Sequence, residues 1–197
     1  MLMTYLQSLC DHMYTLSWNR ITPEYLLGGL VLLVLSLILG ILLRKRLSGG
    51  TVQVLAFCLL LFYLYLLIGG TVVCRRPRAA FSYILKPFWS YASFRRATTR
   101  GMILRNCLML FPVGFLLPLL FPGRRLRFSA MLLCAFCLAY CIEVLQLVLK
   151  KGTFELVDDP LHNVLGALLG YGCCQLVLTL RRTVAARRSD DRVGGAE

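Results

Sequence analysis

Charge is what this sequence has least of. Only 16% of its 197 residues are Asp, Glu, Lys or Arg, where a soluble domain carries about 25%. There are nine acids and two histidines. No zinc-finger spacing, nucleotide-binding loop or Ser-His-Asp arrangement occurs, so metal, nucleotide and acyl-transfer chemistry have no motif to stand on. A basic n-region is also missing. The first apolar run begins near Tyr25, after Asp11, Arg20 and Glu24, so no cleavable signal peptide is expected. The net charge of +13 comes from 22 Lys and Arg, which fall almost wholly between apolar blocks. That is where loops meet lipid head groups, and no nucleic-acid partner is expected.

What the chain has in quantity is apolar sequence. Hydrophobic residues make up 58% and the mean hydropathy is +0.73. The runs Tyr25–Leu43, Val52–Cys74, Asn106–Pro122, Phe128–Leu149 and Leu161–Leu180 are 17 to 23 residues long, near the ~20 needed to span a hydrocarbon core. The expected fold is an all-α polytopic membrane protein, a bundle of about five transmembrane helices. Residues 1–24 read as an interfacial segment, 25–180 as the transmembrane domain and 181–197 as a basic, mobile tail. Within the domain the spans are placed at about 25–43, 52–74, 105–122, 128–149 and 161–180. Cys58, Cys107, Cys134, Cys137, Cys141, Cys173 and Cys174 fall in or beside the runs, where cysteine packs as a small hydrophobe.

The longest connection, Arg75 to Arg105, alternates Phe81, Tyr83, Phe88, Trp89, Tyr91 and Phe94 with cations, as suits a segment in the interface plane. The third span is read as opening at Asn106 and holds Pro112, Gly114 and Pro118. Its prolines break the helical ladder and need neighbours to satisfy freed carbonyls. Lys and Arg near the spans tie at 11 on each face. The tight clusters Arg44–Arg46, Arg124–Arg127 and Arg181–Arg182 break the tie, placing the C-terminus in the cytoplasm and the N-terminus outside.

One polar constellation stands out. Glu143 is the sole charge between Phe128 and Leu149, and Gln146 shares its helix face. A loop with Lys151, Asp158 and Asp159 follows, then Asn163, Gly166 and Gly170 on one stripe. Glu143 is either a general acid/base or a paired carboxyl tying helices together. Asp159 before Pro160 reads as a helix N-cap, whereas Asp158 is left to pair with Lys151 or hold a cation. A divalent cation on these acids is the only cofactor considered; none is required. His162 reads as an interfacial polar residue, and the glycines as sites of close helix packing. Asn106, Gln146, Asn163, Lys151 and the loop arginines Arg75, Arg76 and Arg78 all approach one membrane face as a ligand-binding set.

These residues resemble the VanZ-like family of membrane proteins. The resemblance rests on Ile84-Leu-Lys-Pro87-Phe88, on Asn106-x-x-x-Leu110-Phe-Pro112-Val-Gly114-Phe, and on Glu143-x-x-Gln146 with Lys151. It continues through Asp158-Asp159-x-x-x-Asn163 and Gly166-x-x-x-Gly170-Tyr171, covering roughly residues 84–171. Lys151 stands where the family often has Arg, and His162 where an apolar residue is usual. The resemblance implies structural roles for Pro87, Pro112, Gly114, Gly166 and Gly170. It also implies a bacterial cytoplasmic membrane and an association with low-level teicoplanin resistance.

Three readings follow. In the first, a polar pocket at the outer face engages an anionic lipid or lipid-linked cell-wall precursor without obligatory catalysis. The second is an intramembrane hydrolase or transferase on a lipid-linked substrate, using Glu143 with Asp158 or Asp159. The third is a small proton-coupled transporter, for which no inverted repeat is visible. The oligomeric state is not legible.

Overall fold

Uncharged runs of Leu, Val, Phe and Cys have one stable option in hydrocarbon, because each backbone N–H and C=O must be satisfied within the segment. They form helices. The structure, a computed structural model, describes residues 21–43, 50–92, 96–121, 126–151 and 153–194. Its elements are α1 (Pro23–Leu43), α2 (Thr51–Ile68) extended by a π turn over Gly69–Val73, β1 (Tyr83–Ile84), the short α3 (Trp89–Ala92), α4 (Ala97–Leu116) extended by a 3-10 turn over Leu117–Leu120, α5 (Phe128–Val148), β2 (Phe154–Glu155) and α6 (Asp158–Gly194). Five segments are long and apolar enough to cross a membrane: Pro23–Leu42, Thr51–Val73, Thr98–Leu120, Phe128–Val148 and Asp158–Ala185. Their outward Leu, Val, Ile and Phe side chains are exposed, as expected of surfaces facing acyl chains rather than water.

The inner core is made by α2, α4, α5 and α6 around Leu110, Met131, Ala135, Ala139 and Ala167. The α4–α6 contact is the most extensive, and three glycines permit it. A Cβ at Gly166 would fall on the Cys107 carbonyl, one at Gly114 on the Ala167 carbonyl, and one at Gly170 on the Phe111 carbonyl. Pro112 lies inside α4 and leaves the Leu108 carbonyl without its ladder N–H; the Tyr63 hydroxyl donates to the adjacent Met109 carbonyl at 2.6 Å. α1 packs on α2, with Tyr25 and Tyr65 rings stacked 4.2 Å apart and Thr22 accepting the Tyr25 N–H at its N-terminus.

Three boundaries differ from the expectation. The third span begins at Thr98, so Asn106 lies eight residues inside it instead of opening it. The fifth begins at Asp158, and its helix runs on to Gly194. Residues 181–194 therefore continue a helix where a mobile tail was expected, since Arg and Ala are strong helix formers and no breaker intervenes. Residues 195–197 and the first 20 residues of the expected interfacial segment lie outside the described residues.

The long connection is also more than an interfacial segment. β1 and β2 pair in parallel, Tyr83 opposite Phe154 and Ile84 opposite Glu155. The Arg78 N–H donates to the Lys150 carbonyl at 2.7 Å. These bonds strap the α2–α4 connection to the α5–α6 loop.

Candidate functional site

The strap, the end of α2, the first half of α4, the last turns of α5 and the start of α6 enclose a cavity of about 920 Å³ at one end of the bundle. Its lining is mixed. Leu66, Leu67, Met102, Leu108 and Met109 contribute apolar surface, and Leu108 is also exposed on the bundle surface. Much of the rest is polar. Arg75, Arg76, Arg78, Arg105 and Lys151 face Glu143, Glu155 and Asp159 there, with Asn106 and Gln146 among them. With all groups ionised, five cations against three carboxylates leave an excess of two positive charges.

Each carboxylate is held. The Glu155 N–H donates to Glu143 Oε2 at 3.1 Å, a bond that ties α5 to β2. The Trp89 indole N–H donates to Glu155 Oε2 at 3.0 Å. The Asn106 amide donates to Asp159 Oδ1. Arg75 donates to Gln146 Oε1 at 3.3 Å, Arg78 to Thr153 Oγ1 at 2.9 Å, and the Lys151 ammonium to the Val73 carbonyl at 2.7 Å.

Neither of the two adjacent aspartates takes the part expected of it. Asp159 does not cap the helix; its side chain turns into the cavity. Asp158 does not pair with Lys151. Its carboxylate accepts the Phe88 N–H at 2.7 Å, the Ser90 N–H at 2.8 Å and the Ser90 hydroxyl at 2.6 Å. It is the latch of the strap, and it is not among the cavity-lining residues. A cation held jointly by Glu143, Asp158 and Asp159 is therefore not assembled, and among the described residues no group of His, Cys, Asp and Glu is arranged to hold a metal. Asn163 is fully buried and also outside the lining; its amide has no hydrogen-bond partner among the described residues. His162 is buried, not interfacial, with Nε2 3.2 Å from the Tyr91 hydroxyl. Pro87 precedes Phe88, whose φ of 57° is rare for a bulky residue. The latch holds that strained corner.

Glu155 is the site residue that sequence reasoning missed. It is 3% exposed, and its signal was faint: one acid in Phe154-Glu155-Leu156-Val157, a length too short to show a period. Burial, first, and the neighbouring Asp159 carboxylate push its carboxyl from the ordinary 4.5 up to about 7, against the Trp89 bond that favours the ionised form. A raised folded-state value means the protonated form stabilises the fold. That contribution is complete below about 4.5 and is lost as pH rises through about 7. Thermal unfolding in detergent should therefore occur at lower temperature at pH 8 than at pH 5.5. The variant Glu155→Gln should flatten the difference; an unchanged slope in that variant would assign it to another group.

A helical bundle with five segments fit to cross a membrane, and a polar-lined cavity under a strapped loop at one end, defines a multi-pass membrane protein. The family model of VanZ/LLP1 matches residues 52–178. That is well over half of the chain, which belongs to the VanZ/LLP1 family. The match runs from α2 into α6, ending at residue 178, and takes in nearly all of the cavity wall, leaving α1 before it. Neither the curated proteins nor the solved structures contain a match to this chain.

Proposed function

We propose that the cavity receives the anionic head group of an amphiphile from one leaflet. Arg75, Arg76, Arg78, Arg105 and Lys151 hold the charge, and the acyl or prenyl chain leaves past Leu108 and Met109. The observation that carries this reading is the mixed lining, in which apolar side chains, the outward-exposed Leu108 among them, accompany polar groups with excess positive charge. Partial desolvation strengthens such contacts relative to those of a solvated surface patch. In a bacterial cytoplasmic membrane with this face outward, the fitting ligand is an anionic lipid or lipid-linked cell-wall precursor. Occupying it would alter access of teicoplanin to its target, in line with the resistance associated with the family.

Native mass spectrometry of the detergent-solubilised full chain tests binding directly. Phosphatidic acid should be retained in preference to phosphatidylcholine. Arg76 lines the cavity and is exposed, so Arg76→Gln should leave the unfolding temperature unchanged and weaken phosphatidic acid retention about two- to fivefold. Equal retention of the two lipids by the wild type would overturn the reading. The cellular arm is teicoplanin susceptibility of a Gram-positive host expressing wild type or Arg76→Gln at equal abundance.

A second reading is favoured by the approach of Glu143, Glu155 and Asp159 to one cavity. These acids supply donors and acceptors for acid/base chemistry on a bound ligand, with Glu155 in the place Asp158 was expected to fill. Turnover of a lipid-linked substrate that is lost in Glu143→Gln at normal abundance would establish it.

A further inference from the structure

Glu155 and Asp159 hydrogen-bond each other through their side chains. An ionised carboxylate can only accept, so a bond between two carboxyl groups contains a proton. Glu155 is the member that carries it. Asp159 also accepts from the Asn106 amide and lies within electrostatic reach of Arg105 and Arg75, which suits the accepting partner. Glu155 is buried, and burial first, then the Asp159 carboxylate, pushes its carboxyl up to about 7. Below that pH the pair holds its proton. Above it, two carboxylates stand side by side and depend on the arginines.

Arg75 also acts on Glu143, and both Arg75 and Arg105 line the cavity, so the acids engage their charge before any ligand arrives. A bound anion draws on the same two guanidinium groups and adds a negative charge to the same cavity. Both changes penalise a doubly ionised pair and favour the protonated one. The other charged neighbours are Glu143 from α5 and Asp158 from α6, which repel further negative charge on the pair. Arg76, Arg78 and Lys151 supply the rest of the positive charge of the lining. His162 lies outside the lining, beside Tyr91 and Asp158. With a proton on the pair, the lining sets five cations against two carboxylates, an excess of three.

We infer that the cavity takes up its anionic head group together with a proton, which the Glu155–Asp159 pair binds as the anion claims part of the charge of Arg75 and Arg105. This rests on the reading of the cavity as a site for anionic amphiphiles and names what regulates it. The sign follows from linkage. A ligand that favours the protonated form binds most tightly where that form already prevails, and loses affinity as pH rises through the value of the free pair, about 7. Above that value each binding event draws its proton from solution. Mild acid loads the cavity and alkali empties it.

The test is isothermal titration of the detergent-solubilised full chain with short-chain phosphatidylglycerol. This phosphodiester has no proton to lose in the neutral range, unlike a phosphomonoester, whose second pKa is about 6. Affinity should be about five- to tenfold higher at pH 6 than at pH 8. At pH 7.5, heats measured in two buffers of different ionisation enthalpy should differ by the equivalent of about half a proton or more taken up per lipid bound. At pH 6 that difference should nearly vanish. Glu155→Gln imitates the protonated pair, so its affinity should not change with pH and its binding should take up no proton. Should that variant not fold, Trp89→Phe removes a bond that favours ionised Glu155, and the fall in affinity should move to higher pH. Equal wild-type affinity at both pH values, with no buffer-dependent heat, would overturn the inference and leave anionic-amphiphile binding standing. Proton uptake undiminished in Glu155→Gln, or a fall in affinity that stays in place in Trp89→Phe, would overturn the assignment to the pair. Binding no tighter than that of short-chain phosphatidylcholine at either pH would overturn both readings.

Discussion

Asp158→Ala is expected to destabilise the protein by about 3 kcal/mol, because it strands the buried Ser90 N–H and hydroxyl and the half-buried Phe88 N–H at once. The carboxylate is 1% exposed, and its three bonds run to Phe88 and Ser90, about 70 positions earlier in the chain. Water does not readily replace them at that depth. The loss should also release the Phe88 corner, whose positive φ costs of order 1–3 kcal/mol unless its surroundings enforce it. The effect has a location as well as a size. Limited proteolysis should cut within residues 78–92 far faster than in the wild type, and the unfolding temperature should fall. Asp158→Asn keeps one acceptor oxygen and should lie between the two. If Asp158→Ala unfolded at the wild-type temperature and was no more easily cut, the strap would be held by its β1–β2 pairing alone.

The second large effect is expected at Gly166. A Cβ there meets the carbonyl oxygen, carbonyl carbon and Cα of Cys107. Flexible side chains can step aside for an added methyl; helix backbone cannot. Gly166→Ala should therefore push α6 off α4 along their largest contact, at a cost above the about 1–3 kcal/mol of ordinary overpacking. Little monodisperse protein should be recovered from membranes, and Gly166→Val should yield none. Gly172 lies on the same helix with nothing within 4 Å of its would-be Cβ. Gly172→Ala should be tolerated and gain up to about 1 kcal/mol of helix propensity. Equal recovery of Gly166→Ala and Gly172→Ala would show that α4 and α6 can separate freely.

What was legible in the sequence was whatever depends on a run or a period. The five spans announce themselves because a bilayer imposes a minimum length of uncharged sequence. Glu143 and Gln146 share a face by helical spacing alone. What was hidden depends on which distant group a side chain meets. Asp158 and Asp159 are adjacent and chemically alike, and local rules give the N-cap to the one before Pro160. The chain instead sends Asp158 to the strap and Asp159 to Asn106, a choice made by residues about 50 to 70 positions away. Glu155 escaped notice because a two-residue strand has no pattern to break. The start of α4 was misplaced because Thr98, Thr99, Arg100 and Arg105 look like loop residues; of these, Arg105 lines the cavity. The continuation of α6 beyond Leu180 was misread for the opposite reason: charge suggested a tail, although helix propensity was high throughout.

The account stands or falls on a head group entering from the bilayer between α2 and α4. The most direct measurement is photolabelling of the protein in nanodiscs with phosphatidic acid carrying a photoreactive acyl chain, followed by peptide mapping. Labels should concentrate on Leu66, Met102, Leu108 and Met109, and should be competed by excess unlabelled phosphatidic acid but not by phosphatidylcholine. Labels spread evenly over lipid-facing positions such as Leu27, Leu133 and Leu176, and uncompeted, would contradict it.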